Sequence, residues 1–97
     1  MKLKKIKSDL KIMRLAKNIN ALASKAFSGY SPEVDAIIDF GCKDRQRIET
    51  TLDWMLDFCW DKKMLKLFKK LCRYYYEINP RVTAEYVIAY RDLWDNQ

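Results

Sequence analysis

Apolar residues recur at helical spacing along most of this chain. Ile12, Leu15, Ala16, Ile19, Leu22, Ala23 and Ala26 share one side of a helix over about 8–27, which Ser8 is suited to cap. Leu3 and Ile6 fall out of phase with that stripe, so residues 1–7 read as a basic N-terminal arm ahead of a single helical domain over 8–97. Ser28, Gly29 and Tyr30 read as a turn. Ser31, Pro32 and Glu33 then have the form of a fresh helix start: a capping hydroxyl, a proline at the first helical position and an acid near the positive end of the dipole. This second, short helix, over about 32–40, would bury Val34, Ile37 and Ile38 and end at Gly41, which can take the left-handed conformation.

Asp44 can cap the next segment, over about 44–60, whose stripe is Ile48, Leu52, Met55, Leu56 and Cys59. Beyond it the pattern changes phase. In one straight helix through residue 78, the side of Glu49, Asp53 and Asp57 would become the side of Met64, Leu67, Phe68, Leu71, Tyr75 and Ile78. Such a helix could not bury both halves against one core. A break near Trp60 and Asp61 resolves the conflict, with Asp61 capping a helix over about 62–78. Asn79 and Pro80 separate that segment from a last helix over about 80–95, with Val82, Tyr86, Ala89, Tyr90 and Leu93 facing inward. The expectation is an all-α compact bundle of four or five helices.

Composition agrees with that pattern. Across 97 residues, 49% are hydrophobic, enough for one core, and two Gly and two Pro leave little material for hairpins or long loops. No apolar run approaches the ~20 residues that cross a bilayer, so no membrane insertion is expected. Cys42, Cys59 and Cys72 fit neither a disulfide framework nor a paired thiolate metal site. A reducing cytoplasm is the expected setting.

Charge alters the picture more than composition does. The formal net charge of +6 is distributed in blocks: +7 over residues 1–25, −5 over 26–61 and +6 over 62–73. Lys62, Lys66, Lys69, Lys70 and Arg73 fall within about a third of a helical circumference, at ~100° per residue, opposite the apolar stripe of their own helix. Solvated helix faces usually mix signs at i, i+4, and this one has no acid. Lys7, Lys11 and Arg14 form a similar row on the first helix. Lysine is a mobile point charge suited to phosphate, while reading base edges favours Arg, Asn or Gln. The two rows therefore point to a small nucleic-acid-binding accessory or regulatory protein that contacts phosphates with little sequence preference. The alternative is an adaptor or inhibitor whose basic faces meet an acidic partner protein, the acidic middle block covering one row within the fold or across a dimer.

Other features carry less. Tyr74, Tyr75 and Tyr76 could stack bases, but three successive helical positions point three ways, and Tyr75 is in phase with the core. Trp54 and Phe58 sit off the main stripe and would make a second core contact or an exposed patch, which leaves monomer and homodimer both open. No His is present, so the commonest general base and metal ligand is missing. Asp53, Asp57 and Asp61 recur every four residues, a spacing that solvated helix acids explain more simply than a metal does. No enzymatic activity, cofactor or metal is expected.

Overall fold

The computed structural model describes residues 2–95, with side chains described from Ala21 onward. Four α-helices follow one another: α1 Lys2–Asp39, α2 Arg45–Leu56, α3 Lys62–Tyr76 and α4 Pro80–Tyr90, the last running into a π-helical turn at Arg91–Asp95. The described residues contain no strand. The fold is all-α, as the apolar periodicity predicts.

The largest departure from the sequence reading is at Pro32. Two helices were expected, over 8–27 and 32–40 with a turn at Ser28–Tyr30, yet α1 continues through both Gly29 and Pro32. Ser31 therefore caps nothing. In a helix interior Pro costs ~3 kcal/mol and Gly ~1 kcal/mol relative to Ala, because one lacks the N–H and the other has the most backbone freedom to lose. Tertiary burial offsets this. Ala23, Val34 and Ile37 are buried, with Ala26, Phe27, Tyr30 and Ile38 half-buried around them. All seven positions keep one helical phase across the proline, so only a continuous helix presents them to one core. Gly29 is exposed with open space around it and does not serve a turn. At ~1.5 Å per residue, the 38 residues of α1 extend about 57 Å, which accounts for the 55 Å long axis of the molecule.

Past α1 the local signals hold. Gly41 has φ +60°, the left-handed conformation that reverses the chain after α1. The Asp44 carboxylate accepts from the backbone N–H groups of Gln46 and Arg47 and starts α2. A turn over 57–61 separates α2 from α3, and the Asp61 carboxylate accepts from Met64 N at 3.0 Å. The helix break demanded by the phase change is therefore present, with the expected cap. Asn79 caps α4 through Val82 N, with Pro80 in the first turn.

The core lies where α3 meets the other three helices. Val34 and Ile37 of α1, Ile48, Leu52 and Met55 of α2, and Met64, Leu67, Phe68, Leu71 and Tyr75 of α3 are buried together with Cys59 and Cys72. Trp94 closes one end, its indole N–H donating at 2.8 Å to the carbonyl oxygen of Leu56, the last residue of α2. Leu93, expected to face inward, is exposed. The wider π turn advances each residue through a smaller angle than an α-turn, so Leu93 stops short of the inner face that Trp94 reaches. Leu22, expected on the buried side of α1, is also exposed.

Candidate nucleic-acid interface

The outer face of α3 follows from the register of its inner face. Met64, Leu67, Phe68, Leu71 and Tyr75 fix which side is buried, and the remaining positions must face solvent. Lys62, Lys66, Lys69, Lys70 and Arg73 are all exposed, as is Lys63. The five expected on one face therefore lie there together. Lys62, Lys66, Lys69 and Arg73 follow one another at i, i+4, i+7 and i+11, a row roughly 16 Å long at 1.5 Å per residue. Tyr76 continues this row and is exposed, whereas Tyr75 is buried and Tyr74 donates its hydroxyl to Cys42 O at 2.7 Å.

Lys70 is set apart. It lies at the edge of the face nearest α1, and its Nζ is 2.8 Å from Asp35 Oδ1. The Asp35 hydrogen bond is the main reason the Lys70 pKa is raised. Among the described residues, Lys62, Lys63, Lys66, Lys69 and Arg73 take part in no ion pair. Asp35 of the acidic block thus neutralises the margin of the face, and the central row carries no ion pair among the described residues. Lys7, Lys11 and Arg14 lie on the α1 backbone, and their side chains are outside the described residues.

Most other acids of residues 26–61 have partners away from this face. Tyr75 donates its hydroxyl to Glu49, and Tyr86 donates to Asp53 Oδ1 at 2.7 Å with Glu49 O as a second acceptor within reach at 3.1 Å. These contacts let the acid-bearing side of α2 pack near the tyrosines of α3 and α4. Burial is the first cause of the raised pKa of both hydroxyls, followed by the neighbouring acceptor carboxylate. Glu33 pairs with Arg47 at 2.6 Å, and that hydrogen bond holds its carboxyl below the usual glutamate range. Asp44 and Asp61 cap helices. The i, i+4, i+8 acids are therefore divided: Asp53 receives a tyrosine, Asp61 caps α3 and Asp57 terminates α2. Among the described residues no group of three His, Cys, Asp or Glu side chains could hold a metal ion.

Burial pushes the Cys59 and Cys72 thiols up to about 12, so both are protonated at neutral pH and poorly suited to nucleophilic attack. Among the described residues no helix is long and apolar enough to cross a membrane.

The sequence reading did not identify the groove beside this face. Between α3 and the last helical segment lies a groove of about 500 Å³, lined by Leu65, Phe68 and Cys72 on one wall and Val87 and Tyr90 on the other. Lys69, Arg73, Arg91 and Asp95 surround it. The signal for it was available: Tyr86–Tyr90 is an uninterrupted apolar run, more than one inward-facing stripe requires. Comparison with known protein families, curated proteins and solved structures yields no match, so the geometry of this chain alone carries the functional argument.

Proposed function

We propose that this is a small non-enzymatic nucleic-acid-binding protein of the cytoplasm that holds the phosphate backbone on the outer face of α3. The observation that carries this reading is the row Lys62, Lys66, Lys69 and Arg73: exposed, of one sign, on a rigid helix, and without an ion pair among the described residues. A regular ladder of cations fits the regular charge of a nucleic acid, and the predominance of lysine favours positioning over base readout. Lys70 contributes less, since Asp35 already holds it. Lys7, Lys11 and Arg14 would add a second set of phosphate contacts.

The test is the salt dependence of duplex binding. With about four phosphates contacted, the α3 row should contribute about −3.6 to the slope of log affinity against log salt, from ~−0.9 per phosphate. Changing Lys62, Lys66, Lys69 and Arg73 together to Glu should abolish that part of the slope and weaken binding about equally for unrelated sequences. These side chains are exposed, so the variant should fold as the parent does. A parent that binds neither duplex nor single strand at about 50 mM salt, where screening is weakest, rules the reading out.

A further inference from the structure

The last helix is more apolar than its packing requires. Between Glu85 and Arg91 it carries Tyr86, Val87, Ile88, Ala89 and Tyr90 without a charge, yet Thr83 is the only fully buried residue of α4. Val87 is 41% exposed and Ile88 56% exposed. A helix that is hydrophobic on every side is ordinarily covered on every side. Val87 borders the groove between α3 and α4, where Leu65, Phe68 and Cys72 repeat at i, i+3 and i+7 opposite Val87 and Tyr90. The α3 wall from Leu65 to Cys72 spans about two helical turns and the facing pair Val87 and Tyr90 about one, so the groove offers apolar contacts at the spacing of a further helix.

The charges around the groove select what kind of helix fits. Lys69, Arg73 and Arg91 line it against the single acid Asp95, and none of the three cations is in an ion pair among the described residues. A second copy of this chain docked through the same face would set these cations against themselves, which opposes a symmetric dimer. The first helix of the chain is basic in its N-terminal half and is repelled in the same way. We infer that the groove is a docking site for an acidic amphipathic helix of a partner protein, with apolar residues at i, i+3, i+4 and i+7 entering between Leu65 and Val87 and flanking carboxylates meeting Lys69, Arg73 and Arg91. This site adjoins the phosphate-binding row and shares Lys69 and Arg73 with it, so a docked partner would compete with nucleic acid for those two residues.

Two synthetic peptides test it against the full-length protein: one of roughly 18 residues with Leu at helical spacing and Glu between, long enough to cover two turns of groove, and a scramble of the same composition that lacks the apolar stripe. By calorimetry at low salt, the amphipathic peptide should bind at least about tenfold more tightly than the scramble, a difference equivalent to ~1.4 kcal/mol. Val87→Gln keeps the charge and replaces a side chain already 41% exposed, so its melting temperature and duplex binding should match the parent. Its affinity for the amphipathic peptide should fall about tenfold. Equal binding of the two peptides would show that charge alone is recognised and overturn the inference. So would an undiminished affinity in Val87→Gln, loss of duplex binding in that variant, or a parent that dimerises through this face at micromolar concentration. Binding to anionic lipid vesicles without binding to the amphipathic peptide would overturn it in favour of a membrane surface. Failure of the peptide with duplex binding intact removes this site alone, whereas failure of duplex binding with the peptide bound removes only the phosphate reading.

Discussion

The acids of residues 26–61 and the bases of α3 face opposite fates in the same fold. Glu33, Asp35, Asp44, Glu49, Asp53 and Asp61 each have a partner within the chain: an arginine, a lysine, a helix N-terminus or a tyrosine hydroxyl. Of the six cations between Lys62 and Arg73, Lys70 alone is in an ion pair among the described residues. Side-chain length explains part of the difference. A short carboxylate reaches its own backbone at a cap or a hydroxyl across a helix interface, while a lysine extends its charge beyond the surface into water. These six acids thus cap helices or join one helix to another, whereas the bases, Lys70 apart, make no ion pair among the described residues.

This division predicts unequal costs for changes on the two sides of α3. Tyr75 is fully buried and donates to Glu49, so Tyr75→Ala should destabilise by about 3 to 5 kcal/mol, comparable with other aromatic truncations in cores. Lys66→Ala, on the exposed side, should lie within about 0.5 kcal/mol of the parent. Denaturant unfolding of the two variants measures both. Equal destabilisation would break the distinction between an inner face that packs the core and an outer face that does not.

A smaller effect sharpens the role of the acids. Asp61→Ala removes the carboxylate that accepts from Met64 N and should cost about 0.5 to 2 kcal/mol. Because Asp61 begins a helix whose apolar stripe fills the core, the loss should appear as a lower thermal midpoint with little change in helix content by circular dichroism. A midpoint at or above that of the parent would mean that the turn between α2 and α3 is set by packing alone.

Asp35→Asn should have the smallest effect on stability, because its pair with Lys70 is exposed on both sides and such pairs contribute about 0–1 kcal/mol. Its effect on binding is the informative one. Releasing Lys70 adds a cation to the α3 row, so duplex affinity should rise and the salt slope should steepen by roughly one contact, ~0.9 in log–log units. An unchanged slope would place Lys70 outside the phosphate surface and confine binding to the straight row.

Most of the fold was legible in the chain because its signals are local. Asp44, Asp61 and Asn79 are caps with short side chains that satisfy their own helix starts, and Gly41 takes a conformation that its missing Cβ permits. The break before α3 needed no neighbour to reveal it, since two apolar stripes out of phase cannot share a straight helix. The exposed row on α3 was equally readable as the complement of a clean stripe. Pro32 shows the limit: its preference for a helix start is real, but the burial of Val34 and Ile37 in phase with Ala23 outweighs it, and that burial exists only once α2 and α3 are in place. Which acids meet which partners, that Asp35 holds Lys70 while Lys66 and Lys69 form no ion pair among the described residues, and that α3 and α4 leave a groove between them were decided by tertiary structure. Each depends on the distance and angle between helices far apart in sequence, and residue spacing along one helix carries no information about either.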